Sequence, residues 1–281
     1  MNLKTFNFYQ YVKDKMPWEA QESFFYANNE TYRDLRVDFP FRTTHYGIGI
    51  NYGPGSSQCR LGSTDYMLKD GSLTTLGPGI ITCWKSTYDL KNETVFFSDA
   101  LFRNLKAPPL QTLPFFMHGG NHMIKVPEKN LVELKDLFLN IKKFSHNHQV
   151  LQGLVFSLVQ YVQQMHNLLR TANNTPQKEL LTQKFRALIA RHFIESKSVG
   201  FYAAQLHVTP KYLSEVLIEI TGKTAKELIN EHIFLEARSL LKQTSMTIKE
   251  IAYWLGFEDQ SYFVRTFKKQ TGSTPSEYRK L

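Results

Sequence analysis

The sequence has few cysteines and no long apolar run. Only Cys59 and Cys83 occur among 281 residues, which is too few for a disulfide framework, and no C-x-x-C pair predicts a zinc or redox site. The first fifteen residues lack the unbroken apolar segment of a secretory signal, and polar residues interrupt the most apolar stretch, residues 154–162. We therefore predict a cytoplasmic chain with reduced thiols and no membrane partner.

Motifs of common enzyme chemistry are also missing. Gly47-Ile48-Gly49 does not extend to a G-x-G-x-x-G fingerprint, because Tyr52 stands where the third glycine would be, and no P-loop or Ser-His-Asp arrangement can be identified. The histidines lack the spacing and neighbouring carboxylates of a metal site. His45 stands alone, and the only close pairs among the nine histidines are His118 with His122 and His146 with His148. The sequence predicts no catalytic residue, no cofactor and no metal, and hence a protein that is not an enzyme.

The composition is that of a folded, basic protein. Hydrophobic residues make up 42% of the chain and charged residues 21%, which predicts order throughout, and 281 residues exceed one typical domain. The net charge of +9 favours a polyanionic partner. Both halves of the chain are basic, so charge alone does not locate a binding site.

An N-terminal β unit is predicted from turn signals. Between about residues 28 and 113, short apolar segments alternate with Gly53-Pro54-Gly55, residues 69–72 and Gly77-Pro78-Gly79. No helical periodicity separates them, which favours an antiparallel barrel or two-sheet jelly roll over an α/β sheet. The predicted fold class is α+β, with helices after the β unit and an all-α C-terminal domain.

Apolar residues take helical spacing after Pro127. Steps of four and three suit the seam of a coiled-coil homodimer, and they suit equally a helix packed on the β unit, so both interpretations stay open. The small polar residues 173–177 predict a linker between an N-terminal domain, residues 1–172, and a C-terminal domain, residues 178–281. The helical stripe consists of Leu151, Val155, Leu158, Val162, Met165 and Leu169.

The last hundred residues contain an internal repeat. Residues 202–206 resemble residues 251–255 at an offset of 49, and the offset is 50 from the Tyr212 and Tyr262 pair to the Glu227 and Glu277 pair. Each copy is a short helix, a tight turn and a second helix, which predicts two helix-turn-helix units over about residues 199–222 and 247–272. A long helix over residues 225–243 joins them.

Helix ends are specified locally in both copies. Three Thr-x-x-Glu sequences predict capping boxes, and Asp259 is placed to cap the second helix of the later copy. The spacing predicts inward faces made by Leu213, Val216, Leu217 and Ile220, and by Tyr262, Phe263, Thr266 and Phe267. The three capping boxes begin at Thr224, Thr247 and Thr274.

The two copies resemble the AraC/XylS family of transcription regulators. The segment IKEIAYWLGFEDQSYFVRTFKKQTGSTPSEYRK carries the family signature, and VGFYAAQLHVTPKYLSEVLIEITGKTAKELI is similar to its other helix-turn-helix. The resemblance implies a double-stranded DNA reader with recognition helices in adjacent major grooves, commonly an activator that contacts RNA polymerase. It also implies a cupin-like N-terminal barrel that senses a small-molecule effector or dimerises.

Positions carried over from the family give the DNA-contacting candidates. Arg265 suits guanine, Gln260 suits adenine and Val264 a thymine methyl, while the lysines suit phosphates. Acidic Glu215 and Glu219 depart from the basic outward face of many family members, which predicts a weaker or differently tuned first half-site. The full set is Lys211, Ser214, Glu215, Gln260, Ser261, Val264, Arg265, Lys268 and Lys269.

Two other functions remain as alternatives. The barrel could be an enzyme or ligand carrier with the DNA module attached, or the chain could package nucleic acid without sequence preference. An effector inside the barrel would meet aromatic residues that serve equally well as plain core. These residues are Tyr46, Tyr52, Phe96 and Phe102.

Overall fold

An antiparallel β unit of two sheets precedes the long helices of the chain. The structure is a computed structural model that describes residue 13 and residues 20–34, 39–62, 64–85, 90–103, 110–172 and 177–280. One sheet has six strands in the order β1-β2-β9-β4-β7-β10, and the other has four in the order β3-β8-β5-β6. The strands are β1 Ala20–Gln21, β2 Phe24–Asn28, β3 Phe41–Arg42, β4 Tyr46–Tyr52, β5 Ser57–Leu61, β6 Thr64–Leu68, β7 Ser72–Leu76, β8 Ile81–Lys85, β9 Lys91–Phe97 and β10 Met123–Lys125.

Helices account for the rest of the regular structure. Short 3-10 turns at Asp99–Phe102, Leu110–Thr112 and Pro114–Phe116 lie between β9 and β10. The two-sheet unit followed by an all-helical region confirms the predicted α+β class. The described α-helices are α1 Asn29–Asp34, α2 Glu128–Lys143, α3 His148–Ala172, α4 Gln177–His192, α5 Val199–Gln205, α6 Pro210–Thr221, α7 Ala225–Gln243, α8 Ile248–Trp254, α9 Gln260–Thr271 and α10 Pro275–Lys280. None of these helices is both long and apolar enough to cross a membrane.

Helices α2 and α3 cover one face of the six-stranded sheet. Alternate residues of β2 and β4, such as Tyr26 and Ile48, share one buried cluster with Leu134 and Phe138 of α2. Period-two alternation in the strands and period-3.6 spacing in the helices bring these apolar faces together. This cluster is the largest core of the N-terminal part.

The helical stripe of α3 belongs to the same core. Its members are 0 to 6% exposed and pack within the chain, so the coiled-coil interpretation gains no support from these side chains. A coiled-coil seam and a helix packed on a sheet require the same spacing of apolar residues, and the structure shows the stripe packed on the sheet. The buried members are Leu151, Val155, Leu158, Val162 and Met165, whereas the side chain of Leu169 lies outside the described residues.

The aromatic residues considered for an effector site serve as core. Tyr46 and Phe102 lie in the cluster formed with the helices, not between the two sheets, and Tyr52 packs at its edge. Phe96 stacks on Phe25, with ring centroids 4.6 Å apart. These four aromatic side chains therefore pack in the core of the β unit and its helices.

A second core holds the C-terminal helices around α7. Buried residues of α7, including Ile229, Ile233 and Ala237, share one cluster with Leu217 of α6 and Phe267 of α9. Helices α6 and α9 therefore pack into one continuous core. Helix α7 spans Ala225–Gln243 and lies between the two helix-turn-helix units in the sequence.

Helix α7 also contacts the β unit. Arg42 of β3 forms an ion pair with Glu236 of α7, whose side chain is 3% exposed. The Gln243 amide donates a hydrogen bond of 2.8 Å to the Pro40 carbonyl. The helix that joins the two helix-turn-helix units is thus also the docking helix for the N-terminal part.

Replacing Gly256 with alanine should lower the free energy of unfolding by about 1 to 2 kcal/mol, because a left-handed backbone is costly for a residue with a Cβ. Gly256 has φ of 71° in the turn between α8 and α9. An added Cβ would also stand 3.0 Å from the Ile194 carbonyl oxygen. Chemical denaturation measures the loss.

The matched control is Gly153→Ala, in the exposed face of α3. A Cβ at Gly153 meets no atom within 4 Å, so alanine should stabilise the helix there by about 0.5 to 1 kcal/mol. Changes of the same sign at both positions would contradict the role given to the turn.

Candidate DNA-binding surface

The first helix-turn-helix unit is made by α5 and α6. Thr209 caps α6, its hydroxyl accepting from the Tyr212 amide at 3.2 Å, and Pro210 occupies the first turn where its missing amide costs nothing. His207, in the turn, has φ of 57°. It takes the same place in the repeat as Gly256, so both copies make the same left-handed turn.

The second unit, α8 and α9, has the same plan with stronger caps. Thr247 and Glu250 form the predicted capping box before α8. The Asp259 carboxylate accepts from the amides of Ser261 and Tyr262 at the start of α9. These hydrogen bonds lower the pKa of Asp259, and nearby Arg265 lowers it further. The Asp259 carboxylate at this position therefore stabilises the N-terminus of α9.

Most of the predicted DNA-contacting side chains are exposed on α6 and α9. Two are not fully free: the Ser214 hydroxyl donates to the Pro210 carbonyl at 2.9 Å, and half-buried Val264 packs against the helical core. Contact of Val264 with a thymine methyl is therefore less favourable than its helical position suggested. The exposed set is Lys211, Glu215, Gln260, Ser261, Arg265, Lys268 and Lys269.

Two residues predicted to face inward point outward. Ile220 is 38% exposed and Tyr262 is 56% exposed. Tyr212, the repeat partner of Tyr262, is 41% exposed, and Ile218 next to the α6 candidates is 49% exposed. Tyr212 and Tyr262 occupy matched positions of the two copies. This match was the sequence signal from which their exposure could have been predicted.

An ion pair changes the electrostatics of the first unit. Lys178 of α4 lies 2.5 Å from Glu219 of α6, measured from Nζ to the carboxylate oxygen. The lysine therefore offsets one of the two acidic residues that depart from the family pattern. Glu215, which is exposed, keeps its negative charge on the outward face.

His45 and His122 of the N-terminal part are buried structural groups. His45 Nε2 lies 2.9 Å from the Glu22 carbonyl oxygen, and His122 Nδ1 lies 3.1 Å from that of Phe115. Over the residues that the structure describes, no group of three or more His, Cys, Asp or Glu side chains could hold a metal ion.

Two helix-turn-helix units packed on one helix, with equivalent helix faces exposed, define a double helix-turn-helix module. Residues 202–281 match the family model described as a helix-turn-helix domain. This match shows that the C-terminal part of the chain contains a helix-turn-helix domain, in agreement with the two units described above.

Curated relatives share this part of the sequence. The "Uncharacterized HTH-type transcriptional regulator YijO" of Escherichia coli is 31% identical over 103 residues, which are 37% of this chain and 34% of the relative. The "HTH-type transcriptional activator RhaR" of Salmonella dublin is 29% identical over 104 residues, 37% of each chain. The chain thus spans about a third of the length of these relatives.

One relative extends over more of the chain. The "Msm operon regulatory protein" of Streptococcus mutans is 21% identical over 267 residues, which cover 88% of this chain and 93% of that protein. Its name, like those of the other two, describes a regulator.

Proposed function

We propose that the chain is a sequence-specific DNA-binding transcription regulator, an activator, that places α6 and α9 in adjacent major grooves. The observation that supports this most directly is the pair of matched helix-turn-helix units in one core around α7. Because both pack on the same helix, their spacing is fixed, and successive major grooves about 34 Å apart are the natural target.

The second unit supplies more of the affinity in this proposal. Arg265, Lys268 and Lys269 are exposed on α9, and the basic pair lies in its last turn. Arg265 is suited to a guanine edge and the lysines to phosphates. On α6, exposed Glu215 suits the amino group of a cytosine and opposes phosphates, so the first half-site contributes selectivity more than affinity.

The N-terminal part is proposed to be the regulatory domain. Residues 1–172 would form it, with residues 173–177 as the linker to the DNA-binding domain. Its two-sheet unit followed by helices is the arrangement that the family resemblance implies for sensing an effector. Contact with RNA polymerase and a cytoplasmic location follow from the same proposal, and a homodimer would need a surface other than the buried α3 stripe.

Selection of bound duplexes from a random library tests the proposal. The intact protein should enrich a motif of two half-sites about one helical turn apart. Arg265→Ala should lower affinity about 5- to 150-fold and relax preference at one base pair of one half-site, as expected for loss of a bidentate guanine contact. Glu215→Ala should relax one position of the other half-site.

Salt dependence separates this function from packaging of nucleic acid. A specific regulator retains a preferred duplex at moderate salt, whereas a packaging protein binds unrelated duplexes equally with a steep salt slope. Equal binding of selected and scrambled duplexes by the intact protein would rule out the proposed function.

A further inference from the structure

A cavity of about 550 Å³ lies between the β unit and helix α7. Its walls come from the four-stranded sheet and from two residues of α7, Leu235 and Arg238. Cys59 and Leu61 of β5 point into the core cluster shared by the two sheets. Arg60, between them, points the other way, and both Cys59 and Arg60 line the cavity, which therefore lies at the junction of the β unit and α7.

Arg238 gives this cavity an unbalanced positive charge. Its Nε atom is buried and has no hydrogen-bond partner within the described part of the chain. Burial lowers the pKa of the guanidinium, which shows that the charge is held at a cost. A largely buried cation with one unpaired donor favours an anion that would complete its hydrogen bonds.

The other charges around the cavity leave this imbalance in place. Arg60 and Asp65 form a two-pronged ion pair across β5 and β6, with Arg60 Nε 2.6 Å from the carboxylate. Glu231 of α7 is paired with Lys223 at 2.5 Å. Arg186 of α4 donates a hydrogen bond to the Thr64 hydroxyl. It also interacts electrostatically with Asp65 and Glu231. Asp65 and Glu231 thus have other cations as ion-pair partners, and the attraction of Asp65 for Arg238 is smaller than the effect of burial on that guanidinium.

We propose that this cavity binds a small organic anion, carrying a phosphate or a carboxylate, with Arg238 as its main charge contact. The volume is within the range of cavities that enclose small metabolites. The lining includes the polar side chains of Gln58, Arg60 and Asp65, which suit a molecule with hydrophilic groups.

The cavity borders α7, so we expect its ligand to regulate DNA binding through this helix. This inference rests on the proposed function. Arg238 is two residues from Glu236, which pairs with Arg42 of the β unit. The bound anion would join the sheet to the helix that carries both helix-turn-helix units. It would therefore favour the docked arrangement of the two parts and change DNA affinity, since only a difference in affinity between two arrangements can couple the sites.

Thermal unfolding of the full chain tests binding without DNA. Glucose 6-phosphate and succinate are the probes, neutral glucose is the control ligand, and KCl holds ionic strength constant. One or both anions should raise the midpoint in a saturable way, and glucose should not. Arg238→Gln should weaken the apparent affinity at least tenfold, whereas Lys242→Gln, a similar charge loss on α7 outside the cavity lining, should leave it unchanged.

A second variant guards against poor folding of Arg238→Gln. Met67 lines the cavity and is 44% exposed, so Met67→Trp should fill the entrance and abolish the anion effect without touching the buried arginine. Equal midpoint shifts in the wild type and in both cavity variants would show surface binding only and overturn the proposal. No shift with either anion would overturn it as well.

Duplex affinity with and without the effective anion tests the coupling. An altered affinity that Arg238→Gln removes supports the regulatory role, and an unaltered affinity overturns that role while leaving the binding site. If the protein selects no duplex at all, the proposed function fails, and the midpoint shifts still decide whether the cavity binds anions.

Discussion

Replacing Arg42 with methionine should lower the free energy of unfolding at pH 7 by about 3 to 5 kcal/mol, the usual cost of removing one partner of a buried ion pair. Glu236 is 3% exposed, and burial raises the pKa of its carboxyl despite the nearby guanidinium. Without Arg42 the carboxylate must either stay charged in an apolar site or take up a proton. Denaturation at pH 7 and pH 5 measures the difference, which should shrink at pH 5.

The double variant Arg42→Met with Glu236→Leu is the control for this loss. It removes both charges and should recover most of the stability, because two packed apolar groups replace a pair that was costly to desolvate. A double variant as unstable as Arg42→Met alone would show that shape, not the unpaired charge, dominates at this contact. If Arg42→Met destabilises both the N-terminal and the C-terminal part of the chain, the ion pair is the principal polar link between them.

Acidification from pH 6.5 to pH 4 should remove about 3 kcal/mol of stability for each of three buried histidines, from 1.36 kcal/mol per pKa unit. Burial lowers the pKa of His118 and His122 to about 4 and that of His232 to about 3. The unfolded chain binds protons near pH 6.5 and the folded chain does not. Stability is therefore complete above pH 6.5 and falls as pH falls through the folded values.

His232→Phe tests this assignment, since Phe193 already packs edge-on against the ring at 4.9 Å and a phenyl group suits the site. The variant should lose part of the pH dependence between pH 6.5 and pH 4, and because His232 Nε2 lies 3.5 Å from Glu236 Oε1 the two groups titrate as a coupled pair. The rise in the pKa of Glu236 acts in the opposite direction, with stability lost as pH rises, but it concerns one group. Exposed His148 provides the control, and an equal reduction of slope in His148→Gln would contradict the account.

Local chemistry explains why the C-terminal part could be predicted closely. A Thr hydroxyl three residues before a Glu satisfies helix-end amides whatever the rest of the chain does. Thr224, Thr247 and Thr274 all make these bonds, with the Glu277 carboxylate 2.7 Å from the Thr274 amide. The bounds of α7 follow from the same local signals.

Side-chain exposure and domain docking could not be predicted in this way. The α3 stripe has one spacing and two possible partners, and only tertiary structure selects the sheet. Ile220 and Tyr262 lie at the borders of their helical faces, where neighbouring elements decide burial. The pair formed by Arg42 and Glu236 joins residues 194 positions apart, and neither residue has a local signal that indicates the other.

The length of helix α7 sets both the distance and the relative rotation of the two helix-turn-helix units that pack on it. With 19 residues it is about 28 Å long at 1.5 Å per residue, and each residue turns the chain by about 100°. One inserted residue would lengthen it slightly but rotate one helix-turn-helix unit by more than a quarter turn relative to the other. The angular phase between the two units, and not their distance, is therefore the property that the length of this helix constrains most tightly.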